Sequence, residues 1–384
     1  MSSSLKKMKY LHSIIILLCF SLLISIIISQ KAFAGDKSPK KKVDKWTLSL
    51  SIKPFYDSNI LKYSDKYIQR FKNGEDPGRF HINRIDDFTI GYSAGITFSD
   101  NFFGKMKTIL GAGYDTDAYT FNSVKTWGVF DVFFRQQIAS STSAQFSYSY
   151  IPKFYVRHFR DDDWVKYYGY TEIAFQPYNF SKDDFNFWVQ QILPWKTTRA
   201  RVYFDYSRYF LNSAYTEYDS NDYLVGFRIY HKLLKNMDVN FGYLYGYSDA
   251  KGFDDPETET KENSDDSDAT NYDHTYFAGF DLILPKVFKL ENDISVDFQY
   301  QRGFFTTDNY VELDPLHAGR YEYNYRLIAN YNLSLMSNFS ATIFYNWFGR
   351  EASSPSDYNK EYISDEKDYT QYRIGVNFNY LIKF

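Results

Sequence analysis

Six histidines are the side chains best suited to acid–base or nucleophilic chemistry, at positions 12, 81, 158, 231, 274 and 317. None stands beside a nucleophile motif of the form G-x-S-x-G, and no H-E-x-x-H pair of zinc ligands occurs in the sequence. A catalytic group assembled from distant loops stays open, because such groups are recognised by geometry and not by order along the chain. We therefore predict a protein that is not an enzyme and that uses no cofactor.

Two acidic segments have the residue types of a metal site. Residues 249–273 contain ten acids, and Asp161-Asp162-Asp163 stands near Arg157 and Arg160. Clustered carboxylates suit a hard cation such as Ca²⁺, but the first segment lacks the glycine and the terminal glutamate of an EF-hand loop. We expect a solvated loop at 249–273 and loop salt bridges at 161–163, with no metal site; calcium binding at 249–273 stays an alternative.

Other charged residues recur at alternate positions of β-like segments, opposite an apolar face. A packed core could not hold so many charges, because removing them from water would cost too much, whereas a water-filled lumen could. Alternatively, the charges pair with one another and only brace the wall. The residues predicted to line the lumen are Asp131, Arg135, Lys153, Arg199, Arg201, Asp205, Arg228, Asp238, Asp281, Asp293, Asp297, Glu322, Arg326 and Arg373.

The elements that would position these charges are β-strands with a period of two residues. In the clearest one, residues 372–384, apolar or aromatic side chains occupy every even position, and the odd positions are mostly polar. Segments of this length suit tilted strands that cross a bilayer. The pattern predicts 14 strands, with 12 or 16 as alternatives, at 46–55, 87–98, 106–115, 126–136, 144–156, 167–177, 198–210, 222–231, 237–248, 272–283, 291–305, 320–332, 338–348 and 369–384.

Connection lengths give an independent indication. If residue 46 starts on the periplasmic side, the extracellular connections are mostly long, as at 56–86, and the periplasmic ones are mostly short, as at 232–236. Residues 178–197 break this rule. Either 167–177 is the sixth strand, or 184–193 is that strand and 167–177 is a hairpin arm inside a large extracellular loop; both alternatives give 14 strands.

The sequence pattern of residues 1–34 predicts a cleaved secretory signal peptide. A lysine-rich segment, 6–9, precedes an apolar stretch, 14–28, that is too short to span a bilayer as a helix, and Ala32-Phe33-Ala34 is a small-x-small cleavage site. Cleavage removes Cys19, the one cysteine, and four lysines, which leaves 40 Lys and Arg against 47 acids, a net charge of −7. A chain with that charge is not expected to bind nucleic acid.

Composition supports a membrane barrel. Aromatic residues make up 21% of the chain, yet the mean hydropathy is −0.48. Rings with polar tips suit the interfacial girdles of such a barrel, and lipid cannot satisfy an open sheet edge. We therefore predict an all-β fold: a closed antiparallel transmembrane β-barrel over residues 46–384, preceded by a basic periplasmic tail at 35–45.

The signal peptide, the alternating strands and the aromatic end at Phe384 together resemble bacterial outer-membrane proteins of the porin-like class. The resemblance implies that Tyr380, Ile382 and Phe384 form an assembly signal that the barrel-assembly machinery reads. The turn Tyr56-Asp57-Ser58-Asn59 is also similar to turns in 14-stranded barrels such as the surface-lipoprotein translocators.

These features predict a protein of the outer membrane of a Gram-negative bacterium, in contact with lipid and lipopolysaccharide. The expected function is a pore for passive or facilitated passage of small polar solutes. Two alternatives are a non-enzymatic adhesion, scaffold or lipoprotein-translocator barrel, and an outer-membrane lipid hydrolase. The solute, the oligomeric state and any plugging by an inward-folded loop stay open.

Overall fold

The computed structural model of the protein describes residues 44–384, except 104–105, 162–164, 166 and 254–266. The predicted signal peptide and nearly all of the predicted basic tail therefore lie outside the described residues. Most of the acidic segment 249–273, Asp162 and Asp163 lie outside them as well. Among the residues that the structure describes, no helix is both long and apolar enough to cross a membrane.

The described residues form fourteen strands, whose lengths match the period-two segments of the sequence. They are β1 (Trp46–Asp57), β2 (Asp87–Phe103), β3 (Met106–Tyr119), β4 (Trp127–Ala139), β5 (Thr142–Arg160), β6 (Phe175–Ile192), β7 (Thr198–Leu211), β8 (Ser220–Leu234), β9 (Met237–Ala250), β10 (Asn271–Ile283), β11 (Glu291–Phe305), β12 (Tyr321–Met336), β13 (Phe339–Ser353) and β14 (Tyr369–Lys383). Each strand pairs with its sequence neighbours, and β1 pairs with β14 to close the barrel. The prediction of a closed antiparallel barrel of 14 strands is confirmed.

The closing seam runs the full length of β1. Backbone hydrogen bonds join Trp46 and Phe384 in both directions, with N···O distances of 3.0 and 3.1 Å. The antiparallel register continues to Asp57, which lies opposite Arg373. Because β1 and β14 satisfy each other's backbone N–H and C=O groups, the sheet has no unpaired edge, as a barrel in lipid requires.

The sixth strand lies later in the chain than 167–177, so that assignment is wrong. β6 pairs with β5 from Thr142 opposite Gln191 to Arg160 opposite Phe175. The alternative strand at 184–193 is closer to the structure, although β6 begins nine residues earlier. The expected hairpin arm is also absent, since the described residues of 167–174 are helical at 167–168, bend at 170–171 and form a 3-10 helix, Glu172–Ala174.

A polar run, Ser181–Asp184, conceals the alternation of β6 in the sequence. In the barrel these side chains find partners on the strand itself and on its neighbour. The Tyr148 hydroxyl donates a hydrogen bond to Asp183 (2.7 Å), and the Lys182 ammonium lies 3.0 Å from the Asp184 carboxylate. Polar residues that discourage a strand prediction are therefore compatible with a strand here.

The outer face of the barrel is apolar and its inner face is polar. On β4, the side chains of Phe130, Val132 and Phe134 are 48%, 50% and 40% exposed, while Asp131 and Arg135 alternate with them on the inner face. This arrangement inverts that of a soluble protein. It is the arrangement that a lipid-facing wall around a hydrated lumen requires.

The two ends of the barrel differ in their connections. At one end, which we call the turn end, the connections are residues 104–105, 140–141, 193–197, 235–236, 284–290 and 337–338. At the other, the loop end, they are loops 1 to 7: 58–86, 120–126, 161–174, 212–219, 251–270, 306–320 and 354–368. Long and short connections thus alternate as predicted.

Two short helices lie in the loops and contact each other. Helix α1 (Asp65–Lys72) belongs to loop 1, and helix α2 (Asp357–Lys367) belongs to loop 7. The Ser64 hydroxyl donates to the Asp365 carbonyl (2.5 Å), Lys66 pairs with the Asp365 carboxylate (3.2 Å), and the Tyr67 hydroxyl donates to Glu366. Loop 1 is therefore tied to loop 7 across the loop end.

The buried apolar cluster of the protein lies in the mouth of the barrel, at the loop end. It joins side chains of loop 1 to the ends of β3 and β5, and its members are Ile60, Leu61, Tyr63, Tyr67, Tyr119 and Tyr155. All six are at most 4% exposed. Burying so many large side chains fixes loop 1 inside the mouth instead of leaving it in solvent.

Candidate functional site

Beneath the loops lies a cavity of about 660 Å³, which we call the loop-end cavity. All seven loops contribute residues to its wall, together with β3, β4, β5, β6, β13 and β14. Its charged lining residues are Lys62, Lys125, Arg157, Arg160, Asp161, Glu217, Arg320, Arg350, Lys367 and Arg373. Its aromatic lining residues are Tyr119, Trp127, Phe154, Phe159, Tyr178, Tyr215, Tyr218 and His317.

A tight turn of loop 1 brings Lys62 to this cavity. The Asn59 side chain bridges the turn, accepting from the Tyr63 backbone N–H (2.9 Å) and donating to the Tyr63 carbonyl (2.8 Å). Asp57 in turn accepts from the Asn59 backbone N–H (3.1 Å). Lys62 itself has a left-handed backbone, with φ of 55°, which costs a non-glycine residue about 1–2 kcal/mol. The hydrogen bonds of Asn59 therefore hold the strained backbone of Lys62 in place.

A bulge in β5 places further residues in the wall. Pro152 has no N–H to donate to the strand ladder, and the register shifts around it: Ile151 lies opposite Lys182, but Phe154 lies opposite Phe180. A second shift follows between Tyr155 and Arg157. Bulges of this kind redirect side chains. As a result Phe154 and Arg157 both line the cavity, although strict alternation would separate them.

Arg157 connects the barrel wall to loop 1. Its Nη2 atom donates to the carbonyls of Leu61 (2.8 Å) and Lys62 (3.0 Å), and its guanidinium lies 4.8 Å from the centre of the Tyr63 ring. The side chain is only 6% exposed, and its Nε atom has no hydrogen-bond partner among the described residues. Arg157 thus leaves one buried donor beside the cavity.

Five lining cations have no carboxylate within ion-pair distance among the described residues: Lys62, Lys125, Arg157, Arg160 and Lys367. The buried Lys125 ammonium donates to the Tyr155 carbonyl (2.6 Å) and lies 4.1 Å from the Phe154 ring centre. The Lys367 ammonium lies 5.8 Å from the Phe159 ring centre. Among the described residues, the direct contacts of these two ammonium groups are therefore a carbonyl and ring faces.

Burial and mutual repulsion disfavour the charged form of the loop lysines. The Lys62 side chain is exposed to the cavity but surrounded by protein, and burial, followed by repulsion from Arg350 and Arg373, lowers its pKa to about 8. Burial is also the main reason why the pKa values of Lys125 and Lys367 lie well below their ordinary value. Such lowered pKa values mark a site where a negative charge would be stabilised.

Two carboxylates beside the cavity are already paired. The buried Asp57 accepts from Arg373 Nε (2.8 Å). Glu322 lies 3.3 Å from Arg320 Nε and 3.7 Å from Arg350 Nη1. These pairs connect β1 to β14 and β12 to β13, so they brace the wall and neutralise part of its positive charge.

The described histidines contact rings, hydroxyls or a carboxylate. His158 accepts from or donates to the Tyr155 hydroxyl (2.7 Å) and stacks on His81 with ring centres 3.7 Å apart. His317 lies 2.8 Å from the buried Asp314, and burial lowers its pKa to about 4. The described residues contain no group of three or more His, Cys, Asp or Glu that could hold a metal ion. That the protein is not an enzyme stays a prediction.

Among the predicted lumen residues, Arg135 and Arg201 meet around one indole ring. Their guanidinium carbons lie 5.4 and 4.3 Å from the ring centre of Trp188, which is 6% exposed. Arg135 donates to Gln145 (2.8 Å) and Arg201 donates to Gln190 (2.7 Å). The four side chains therefore hold the indole between two cations.

Arg199 and Arg228 lie beside this group, around Tyr230. Their guanidinium carbons are 4.5 and 5.5 Å from the Tyr230 ring centre. Arg228 also donates to Asn240 (2.7 Å) and pairs with Asp297. Arg228 and Asp297 thus form a wall pair of the kind that the bracing alternative describes.

Predicted acids gather on three neighbouring strands near the turn end. Asp281 of β10 lies directly opposite Asp238 of β9. Asp293 and Asp297 of β11 lie two residues to either side of Ser295, which is opposite Asp281. Positive residues of β4, β7 and β8 and negative residues of β9 to β11 therefore occupy adjoining sectors of the inner wall.

The other predicted lumen residues lie apart from these groups. Asp131 lies opposite Gly113, Asp205 accepts from Asn186, and Arg326 lies 5.3 Å from the Phe348 ring centre. Lys153 lies in the β5 bulge, where the alternation is interrupted; it is exposed and does not line the loop-end cavity. Arg373 lines that cavity, and Glu322 pairs with two of its cations.

The predicted assembly residues lie on the outer face at the turn end of β14. Tyr380 is 41% exposed and Phe384 is 40% exposed, and Tyr380 lies 6.4 Å from Phe339 between ring centres. Ile382 lies between Tyr380 and Phe384 along the chain, and it pairs with Leu48 of β1. An exposed apolar strip therefore ends at Phe384.

Most of the loop-end cavity was missed in the sequence. Its cations come from loops 1, 2, 6 and 7 and from β5, β13 and β14, and no local motif connects them. One signal was available: the segment Asp57-Ser58-Asn59 contains the residue types that close side-chain-to-backbone turns, and Asn59 does so here. That segment fixes where loop 1 turns inward, but not what it meets.

Three solved structures are similar to the chain in fold. The outer-membrane channel DcaP of Acinetobacter baumannii is 12% identical over 91% of this chain and 100% of that chain, with a TM-score of 0.43. The anion-selective porin from Comamonas acidovorans is 7% identical over 88% and 99%, with a TM-score of 0.39. OccD3 of Pseudomonas aeruginosa is 9% identical over 91% and 94%, with a TM-score of 0.35. No protein-family model and no curated protein matches the chain.

Proposed function

We propose that the protein is a channel through which small polar solutes cross the outer membrane of a Gram-negative bacterium. One observation carries the proposal: the closed barrel has an apolar outer face and a charged inner face. Lipid is the solvent that favours such an outer face, and water or a polar solute is what keeps such an interior solvated. The loop end is then extracellular and the turn end periplasmic.

A route for solutes follows the inner wall below the loop-end cavity. A second cavity of about 220 Å³ shares Arg373 with it and lies further along β14 towards the turn end. The second cavity is also lined by Lys53, Asn330, Thr342, Asn346 and Asn377. Amide and hydroxyl groups of this kind replace the hydrogen bonds that a solute loses with its water. The wall therefore favours polar solutes, and loop 1 in the mouth restricts them to small ones.

The experiment that tests the proposal is single-channel recording of the refolded protein in planar bilayers. We expect stepwise currents in potassium chloride after insertion has been verified by protease protection. Verified insertion without conductance would contradict the channel and favour an adhesion, scaffold or lipoprotein-translocator barrel. A lipid hydrolase instead predicts fatty-acid release that is lost when one loop histidine, such as His81, is replaced by alanine.

The route to the membrane and the surroundings of the barrel belong to the same proposal. Cleavage after Ala34 would release the chain into the periplasm with a basic tail ahead of β1. The apolar strip that ends at Phe384 is suited to recognition by the barrel-assembly machinery, and the outer face is suited to lipid and, at the loop end, to lipopolysaccharide.

A further inference from the structure

The loop-end cavity carries more positive charge than its own acids can neutralise. Eight lysine and arginine side chains line it, against Asp161 and Glu217. Glu322 and Asp57 stand behind the wall and pair with three of the eight. Counting all four carboxylates, a net charge of four is left over, and two of the five unpaired cations, Lys125 and Arg157, are only 6% exposed.

A buried positive excess is costly unless a counter-charge enters the cavity. Among the described residues Lys125 makes one hydrogen bond, to the Tyr155 carbonyl, although an ammonium group has three donors. Arg157 Nε has no partner among the described residues. Donors that are left free and buried beside a cavity of about 660 Å³ point to an anionic ligand.

The rest of the lining restricts the kind of anion. Between the cations lie the rings of Trp127, Phe154, Phe159, Tyr178 and Tyr215. A small inorganic anion would leave these rings against water, and its unpaired oxygens would face apolar surface. A ligand with one charged end and one flat apolar end would instead satisfy both kinds of lining.

We propose that the loop-end cavity is a binding site for small organic anions in which a carboxylate is attached to an aromatic ring. This assignment deepens the proposed function, because it names the solute class for which the channel would be selective. The carboxylate would be held by the group of Lys62, Lys125 and Arg157, where the free donors lie. The aromatic ring would pack against Trp127 and Phe154, which lie 5.5 Å apart between ring centres.

The test is isothermal titration calorimetry of the full mature chain, refolded in detergent, with benzoate as the probe. Acetate supplies the charge without the ring, and benzyl alcohol supplies the ring without the charge. We expect benzoate to bind at least about tenfold more tightly than either, since both halves of the ligand find partners. Binding of benzoate no tighter than acetate or benzyl alcohol overturns the proposal.

A matched pair of variants locates the binding. Lys125→Gln keeps a donor for the Tyr155 carbonyl but removes the charge, and we expect it to weaken benzoate binding about tenfold or more. Lys182→Gln is the control, because Lys182 is an inner-face lysine of β6 that pairs with Asp184 outside the cavity. Equal losses in the two variants would assign the effect to general charge and overturn the site.

A second measurement uses the unaltered protein and does not depend on whether a variant folds. A carboxylate beside Lys62 opposes the burial and the repulsion that lower the pKa of this lysine to about 8, so binding at pH 8 should take up protons. The charged groups that act on Lys62 are Arg350, Arg373, Arg157 and, in the opposite direction, Asp57. The binding enthalpy should therefore differ between Tris and HEPES buffers; an identical enthalpy in both contradicts a carboxylate bound at Lys62.

The anion site and the channel can be refuted independently of each other. Calorimetry tests the site without any current, and conductance tests the channel without any organic anion. A protein that conducts but does not bind benzoate overturns this inference alone. A protein that binds benzoate but does not conduct after verified insertion overturns the channel alone.

Discussion

Replacing Tyr67 with alanine should release loop 1 from the mouth of the barrel. Tyr67 is 1% exposed, its ring lies 5.9 Å from that of Tyr63, and the guanidinium of Arg79 lies 4.3 Å from its ring centre. Its hydroxyl donates to Glu366 of helix α2. One side chain therefore connects the buried cluster of loop 1 with loop 7.

The expected magnitude follows from these contacts. Truncating a buried aromatic side chain to alanine costs about 3–5 kcal/mol. If that cost falls on the docking of loop 1, the population of the undocked loop rises about 150-fold to about 5,000-fold. Tyr67→Phe keeps the ring and its contact with Arg79 but loses the hydrogen bond to Glu366, so about 1.5–3 kcal/mol, or roughly tenfold to a hundredfold, is expected.

Limited trypsin digestion of the protein in liposomes measures this population. Lys66, Arg70 and Lys72 of helix α1 supply cleavage sites, and cleavage tracks the open population when docking is fast. Tyr67→Ala should be cut within loop 1 at least about a hundred times faster than the unaltered protein, with Tyr67→Phe between them. The β-sheet circular dichroism and the melting of the barrel should not change.

The control is Tyr276→Ala, which removes a tyrosine that is 50% exposed on the outer face, far from loop 1 in sequence. An unchanged rate in Tyr67→Ala, or the same acceleration in Tyr276→Ala, would refute the claim that packing in the mouth holds loop 1. Cleavage of the strands at the same rate as loop 1 would mean global unfolding, and would refute it as well.

Two further predictions concern the strip at Phe384 and the charge of Lys62. Deleting Phe384 should sharply lower the abundance of the protein in the outer membrane of cells but leave refolding in detergent largely intact. The reason is that lipid contact at an interface accounts for only part of the roughly 1.5–3 kcal/mol that a buried apolar side chain contributes. Lys383→Ala is the control, and an unchanged abundance in cells for both variants contradicts an assembly signal. The preference of the channel for chloride over potassium should fall as the pH rises from 7 to 9, because a pKa lowered to about 8 makes Lys62 neutral above that pH. Lys62→Gln should reduce this pH dependence in reversal-potential measurements, and a preference that does not change with pH excludes Lys62 as a contributor.

The strands could be predicted wherever every second side chain faces lipid and is therefore apolar. For β14 the predicted segment 369–384 and the observed Tyr369–Lys383 nearly coincide, because its even positions from Tyr372 onwards are all apolar or aromatic. For β6 the polar run Ser181–Asp184 interrupts that pattern, so periodicity left 167–177 and 184–193 as alternatives. The pairing of those polar side chains with Tyr148 and with each other is a tertiary effect that local periodicity does not contain.

The loop-end cavity could not be predicted for a different reason. Alternation assigns a residue to the inner or outer face, but it does not say which loop folds inward. Lys62, Lys125 and Lys367 lie in three loops, and Phe154 joins Arg157 in the cavity wall only because the register of β5 shifts twice. Pro152 was a visible cause of the first shift, since proline removes a donor from the ladder; its consequence for Phe154 depends on the fold.

The hydrogen bonds between Trp46 and Phe384 bear on how the barrel is made. These residues stand at opposite ends of the fourteen-strand meander, so closure needs a contact of nearly the largest sequence separation that the barrel region offers. Until β14 is present, β1 exposes a bare row of amide and carbonyl groups, and pairing across such distances is intrinsically slow. The unfinished sheet is therefore an aggregation hazard. On the proposed route through the periplasm, any delay between the arrival of β1 and that of β14 would lengthen the time for which the chain needs protection from aggregation.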